Sequence, residues 1–449
     1  MTMPGTTSAP GTDPMAVARA LAGGDRAPEA ERARGRQERL DALVRHARER
    51  SPFYREHLPP PSGHVDLASL PTVDKATLMA RFDDVVCDRR LRRDDLLRYL
   101  AAEPGGPYLD TYRVVSTSGS SGSPGLFVCD DGAWAVYVAQ FLRVLGFTGR
   151  AWDEPGTRVG VVAAVNPRHA SSQVAMTFAR LGILRLQPLP VTLPMAQIVA
   201  GLNEYQPDML HAYASYAALL ADEQLAGRLR IAPHTVTCSS ELLTPGMAAR
   251  VEAAFGVAPY DVYATTEGLW AGQCERHAGL HLFEEHVVVE NVDADGRPVP
   301  DGEPGARVLL TNLFNRVQPL IRYEIPDVVT IEPEPCACGR TLRRMRSVQG
   351  RSDDVLRLDG VEVHPLQFAA LAADPDVREF QVRQSGDRLR LRIVPAGGVA
   401  VADIAGRLGE HVSAALRGLG VAHPQVTVEP CTELPRSPGG KLQLVVADA

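Results

Sequence analysis

Ser116-Thr117-Ser118-Gly119-Ser120-Ser121-Gly122-Ser123-Pro124-Gly125 is the densest run of hydroxyls and glycines in the chain. It follows a short apolar run and precedes a stretch with helical spacing of Trp134, Tyr137, Val138, Phe141, Leu142 and Leu145. Glycines let backbone N–H groups wrap an anion, and hydroxyls add donors. A flexible linker has the same composition, so the run alone leaves both readings open. No Gly-Lys-Ser/Thr occurs in it, which excludes the Walker pattern.

Outward from this run the chain alternates. Val159–Val165 reads as a buried strand, Met195–Tyr205 as a helix and Met209–His211 as a strand. Tyr216–Leu225 reads as a helix, Thr235–Cys238 as a strand, Pro245–Phe255 as a helix and Tyr260–Tyr263 as a strand. Such alternation predicts an α/β fold with much parallel sheet. Residues 280–335 lose the helical pattern and carry turn signals at Asp293-Ala294-Asp295-Gly296 and Asp301-Gly302, so a β-rich subdomain is expected. Beyond Arg351 a small α+β domain is expected. The expected organisation is a disordered segment at 1–30, a large domain at 31–349 and a small mobile domain at 350–449.

The 449 residues carry 47 Lys+Arg against 54 Asp+Glu, a net charge of −7, which argues against a nucleic-acid-coating protein. No apolar run is long enough to span a membrane. No secretory signal is read at the N-terminus, so a cytoplasmic location is expected. Seven cysteines do not suggest a disulfide framework. Only Lys75 and Lys441 are lysine. A GC-rich genome explains most of that depletion. A lysine that survives it is more often one whose compact charge a guanidinium cannot replace.

Further segments recur in a familiar order: Tyr263-Ala264-Thr265-Thr266-Glu267, Leu320-Ile321-Arg322-Tyr323-Glu324-Ile325-Pro326-Asp327, Gly350-Arg351-Ser352-Asp353-Asp354 and Pro435-Arg436-Ser437-Pro438-Gly439-Gly440-Lys441. With the Ser/Gly run, they resemble the motifs of the adenylate-forming (AMP-binding, acyl-CoA synthetase) superfamily. Ser51-Pro52-Phe53-Tyr54-Arg55, Leu70-Pro71-Thr72-Val73-Asp74-Lys75, Gly279-Leu280-His281 and Cys336-Ala337-Cys338-Gly339-Arg340-Thr341 are similar to its phenylacetate–CoA ligase branch.

The resemblance implies ATP-dependent conversion of a small, aromatic or similar carboxylic acid into an acyl-adenylate, then transfer to coenzyme A. A carrier-protein thiol or an amine is the alternative acceptor. A degenerate nucleotide-binding protein without catalysis is the non-enzyme alternative, against which Glu267, Asp327 and Lys441 argue. Lys441 and Thr266 would be catalytic, with Glu267 holding Mg2+. Ser118, Gly119, Ser120, Ser121, Gly122, Ser240, Glu241, Tyr263, Ala264, Thr265, Asp327 and Arg351 would bind the nucleotide, and Asp353 would be the hinge. Tyr137, Phe141, Tyr213, Ala214 and Ser215 are acyl-pocket candidates, although the helix carrying Tyr137 and Phe141 also reads as plain core. Lys75 reads as a surface or helix-start residue. Cys274, His281, Cys336 and Cys338 would make a structural zinc site; His277 is the other histidine with suitable spacing, and buried small hydrophobes are the alternative. A homodimer is compatible with all of this. Departures from the motifs are Ser123, Glu324, Pro326 and Ala264.

Overall fold

The computed structural model describes residues 11–60, 63–102, 106–117, 125–149, 156–182, 184–346, 348, 350–351, 354–363, 365–396, 399–437 and 439–447. Strands β1 (Arg113–Ser116) and β2 (Leu126–Cys129) form an antiparallel pair. The Ser/Gly run therefore sits between two strands rather than directly before a helix. The apolar, β-prone Leu126-Phe127-Val128-Cys129 intervenes.

Among the described residues the central sheet has nine strands. Five are parallel: β3 (Thr157–Ala163), β4 (Leu184–Pro190), β5 (Met209–Tyr213), β6 (Thr235–Ser239) and β7 (Tyr260–Ala264), in the order β4-β3-β5-β6-β7. Antiparallel β8 (Trp270–Gly272) and β9 (Leu280–Leu282) extend it. The separate sheet of β10 (Val287–Val292), β11 (Arg307–Asn312) and β12 (Leu320–Ile325) is the expected β-rich part. Helix Pro245–Phe255 has the predicted bounds because Thr244 caps its start, Pro245 opens it and left-handed Gly256 ends it.

Helix Asp131–Phe147 is buried nearly all round rather than on one face. Its Arg143 reaches across the core to Asp25 and Glu285, 2.8 Å from the first and 2.6 Å from the second. This corrects the expectation of disorder for residues 14–30. Asp13 caps helix Pro14–Gly23, whose Ala18 and Leu21 are buried, and the Asp25 charge is matched by Arg143. Taking one carboxylate from the buried Arg143 guanidinium would be costly, so this pairing, with the buried Ala18 and Leu21, holds the segment in place. Residues after Leu356 enclose a core of their own under a four-stranded sheet. No described helix is long and apolar enough to cross a membrane.

One acid is out of balance. Asp261 on β7 is buried, and burial pushes its carboxyl up to about 7. A folded-state value above the unfolded one favours folding below about pH 4, and that advantage is lost as pH rises towards 7. Asp261→Asn should therefore gain about 3 kcal/mol relative to the parent between pH 4 and pH 8. Equal denaturation midpoints for the pair at both pH values would refute this.

Candidate active site

The turn after β7 positions the first acid. Thr265 closes it, its N–H donating to the Leu269 carbonyl at 2.9 Å and its hydroxyl accepting from the Leu269 N–H at 3.1 Å. Gly268 has φ +106°, and a Cβ there would stand 2.6 Å from Asn312 Nδ2 and 2.8 Å from Phe314 Cζ. Asn312 in turn donates to the Glu267 carbonyl at 2.8 Å. Burial pushes the Glu267 carboxyl up and neighbouring Asp327 adds to that, while Lys75 and Arg351 oppose it. Tyr323, on β12, hydrogen-bonds the same carboxylate. Tyr263 donates to Asp327 at 2.5 Å, and Arg351 Nε lies 3.7 Å from Asp327. A backbone bridge pairs Asp327 with Arg351. Two carboxylates and a cation thus share one cleft, a donor set that suits a hard divalent cation and ribose hydroxyls. Thr266 is half-buried and Ala264 exposed on its rim. Ser118, Gly119, Ser120, Ser121, Gly122 and Asp353 lie outside the described residues. The flanking Thr117 and Gly125 are tied together, Gly125 N–H to Thr117 Oγ1 at 2.8 Å.

The C-terminal turn enters the cleft from the other side. Ser437 and Lys441 close it through Ser437 N–H to Lys441 O, 2.9 Å, and Lys441 N–H to Ser437 Oγ, 3.1 Å. Gly440 has φ +76°, and a Cβ there would fall 2.3 Å from Val191 Cγ2, so no other residue fits this docked turn. Lys441 Nζ sits 5.6 Å over the Tyr213 ring. Burial pushes Lys441 down, Glu241 opposes that and Arg351 adds to it. His169 is pushed down by burial and then by Lys441 and Arg168. Arg351 therefore acts on Lys441, and Lys441 on His169.

Glu241, expected beside the nucleotide, is engaged otherwise. Its carboxylate accepts from Ser215 N–H at 2.9 Å and Leu442 N–H at 2.6 Å. Ser215, expected in the acyl pocket, is buried and accepts from Arg436 at 2.5 Å, and Arg436 also pairs with Glu379 at 2.7 Å. Both residues clamp the C-terminal turn. Ser240 is exposed with φ +67° beside this clamp, and Ala214 is fully buried.

Lys75 has a second setting beyond its expected helix-start position. It opens helix Lys75–Ala80 behind the Asp74 cap, as expected. However, Val73 pairs with Tyr323 through Val73 N–H to Arg322 O, 3.1 Å, and Glu324 N–H to Val73 O, 2.9 Å. That bridge lays the segment along β12, so Lys75 acts on Glu267, and its Cε comes within 3.3 Å of a Cβ built on Gly125. The signal was the lysine shortage itself: both survivors stand at one cleft.

Tyr137 stacks on Trp134 (5.3 Å between centroids), meets Trp270 edge-on and donates to the Thr265 carbonyl at 3.1 Å. Phe141 is half-buried between Phe178, Trp270 and His211. These rings form one aromatic cluster, and Tyr213 lies beneath Lys441.

Cys274, His281, Cys336 and Cys338 come together beside β9, which carries His281, with all four ligand atoms within 4.8 Å of one another and all four residues buried. Cys274 Sγ is 3.7 Å from Cys336 Sγ, and Cys338 Sγ is 3.5 Å from His281 Nε2. The edges of a tetrahedron with metal–sulfur bonds of about 2.3 Å are about 3.8 Å long. His277 lies outside this group; its ring packs on Tyr260 at 4.4 Å.

No protein-family model matches the chain. A phenylacetate-coenzyme A ligase of Aromatoleum evansii is 30% identical over 351 residues, covering 74% of this chain and 73% of that protein. The chain belongs to the phenylacetate–coenzyme A ligase family. A second member, from Thermus thermophilus, is 28% identical over 91% of this chain and 95% of its own length. Among solved structures, 2-hydroxyisobutyryl-CoA ligase in its postadenylation state with 2-HIB-AMP superposes with a TM-score of 0.77 at 23% identity, covering 100% of this chain and 94% of that one. The same ligase in its thioesterification state gives 0.57, covering 94% of this chain and 91% of that one. Both superpositions show the shared fold of these ligases.

Proposed function

We infer that this chain activates a small carboxylic acid, aromatic by preference, with ATP, forming an acyl-adenylate and pyrophosphate, and then passes the acyl group to the thiol of coenzyme A. The observation that carries this reading is the convergence of Lys441 on the cleft of Glu267, Asp327 and Arg351. The substrate carboxylate attacks the α-phosphorus, and negative charge grows on the departing pyrophosphate. Such a reaction needs positioning and fixed charge more than covalent help. Lys441 would bridge the incoming carboxylate and the α-phosphate, and Thr266 would donate to the latter. Asp327, held by Tyr263, would accept from the ribose hydroxyls beside Arg351. Glu267 would hold Mg2+, which neutralises phosphate charge when bound. The loop 118–122 would add backbone and hydroxyl donors, and Asp353 would lie at the hinge between the two half-reactions. Cys274, His281, Cys336 and Cys338 would hold a zinc ion as a closed structural site.

Lys75 has a place in this scheme. The Ser/Gly run contains no cation, and Lys75 stands beside its Gly125 end and Glu267. It would supply the positive charge for the outer phosphates. Acid-dependent exchange of labelled pyrophosphate into ATP, followed by acyl-CoA formation on adding the thiol, tests the whole reading; no exchange with any acid overturns it. In the same assay Lys75→Met should raise the KM for ATP and weaken pyrophosphate binding by at least about tenfold, leave AMP binding near its original value, and recover in part in Lys75→Arg. Equal losses for AMP and pyrophosphate would reduce Lys75 to a structural partner of Glu267.

A further inference from the structure

One histidine stands where the scheme above has no use for it. His211 occupies the middle of β5, near the centre of the nine-stranded sheet, yet its side chain is only half-buried. Its register neighbour Val161 on β3 is likewise half-buried. Their opposite-facing neighbours Leu210, Ala212 and Val162 are completely buried. Residues alternate sides along a strand, so this pattern marks open space on one face of the sheet only, the face that packs on Phe141 of helix Asp131–Phe147.

Tyr213 is on that same face, two residues further along β5, and carries Lys441 over its ring. His211 therefore lies about 7 Å deeper than Tyr213, by the rise of two strand residues. An acid whose carboxylate meets Lys441 would run past Tyr213 and the Phe141 ring, and its far end would arrive at His211.

The floor there is polar. His211 Nδ1 is 2.9 Å from Thr237 Oγ1, and its Nε2 is 3.3 Å from Ser239 Oγ. Thr237 and Ser239 are on β6, Thr237 directly beside His211 in the register. Burial pushes the imidazole down to about 4, so at neutral pH it is uncharged and offers one donor and one acceptor. The Thr237 contact is short and sealed inside the sheet. The Ser239 contact is long, and Ser239 ends its strand at the cleft. A hydroxyl or amino group arriving between His211 and Ser239 could pair with both. A bare hydrocarbon edge would leave His211 Nε2 and Ser239 with only their long mutual contact, a weaker arrangement than one completed by the ligand.

Resting on the acid-activating reading, we propose that His211 and Ser239 form the distal end of the acyl pocket and select an aromatic acid bearing a hydroxyl or amino group on the side of the ring away from its carboxylate. The test uses the full-length protein and pyrophosphate exchange with matched acids: phenylacetate against 4-hydroxy- and 4-aminophenylacetate, and benzoate against its 4-hydroxy and 4-amino forms. The substituted acids should be preferred in kcat/KM by about tenfold or more. His211→Phe should abolish or invert that ratio by lowering turnover of the substituted acids and raising that of the parents. Ser239→Ala should weaken the ratio in part, and His211→Gln, which keeps a donor and an acceptor, should retain most of it. Because His211→Phe could misfold, its melting temperature and its exchange with the unsubstituted acids serve as controls; a misfolded variant leaves Ser239→Ala and His211→Gln to decide. Equal or better use of the unsubstituted acids by the parent, or an unchanged ratio in folded variants, overturns the proposal while the acid-activating reading stands. Absence of exchange with every acid overturns both.

Discussion

Lys441→Ala is expected to reduce acyl-adenylate formation by at least about a thousandfold while the protein stays folded. The side chain reaches the cleft through a turn closed by Ser437 and packed on Val191 through Gly440. Its ammonium sits over Tyr213 in a buried setting, where a displaced charge cannot be replaced by water at small cost. Lys441→Arg is expected to fail as well, because a planar guanidinium needs more room and presents its donors in a fixed fork. The two half-reactions separate the possibilities. With free acid and ATP both variants should be silent. With acyl-adenylate supplied, transfer to coenzyme A should survive, since that step follows pyrophosphate release. Near-normal pyrophosphate exchange in Lys441→Ala would remove Lys441 from the chemistry.

Loss of metal from the cysteine–histidine group is expected to have the second largest effect, on stability rather than turnover. Purified protein should carry about one zinc per chain. Chelation, or Cys336→Ser, should lower the melting temperature by several degrees and open the N-terminal segment to protease. The reason lies in what the cysteine-bearing loop holds. Arg26 donates to the Cys338 carbonyl at 3.0 Å, and Thr341 N–H donates to the Asp25 carbonyl at 3.1 Å. Arg340 lies 3.7 Å from Asp25 and over the Phe147 ring at 4.2 Å. Release of the loop would thus loosen helix Pro14–Gly23 and the charge cluster around Arg143. A metal-free preparation with an unaltered melting curve would rule the site out.

The parts of this architecture that depend on neighbouring residues were legible in the sequence. Thr244, Pro245 and Gly256 bracket one helix, and the apolar runs around Val159, Leu210, Val236 and Val262 give the parallel strands. Glu267 and Asp327 were singled out by the resemblance of their segments to family motifs, and the structure brings the two carboxylates near each other. What escaped depends on contacts between distant residues. The order of residues 14–30 requires Arg143 to meet Asp25 across 118 positions. Lys75 joins the cleft only because Val73 pairs with Tyr323. Glu241 is a nucleotide-binding candidate only through the resemblance, and the docked C-terminal turn shows its oxygens accepting from two backbone amides.

The scarcity of lysine has a consequence for a protein that makes acyl-adenylates, which are themselves acylating agents for amines. Apart from the amino terminus, the chain offers such reagents only two primary amines, and both stand at the cleft. Its surface is clad in guanidinium groups that these mixed anhydrides do not modify readily. An intermediate escaping into solvent would find little on its own maker to label. For the same reason an amine-directed probe becomes a reporter with almost no background. Lys441 is screened in the docked turn, so its acylation would report any departure of that turn from the cleft.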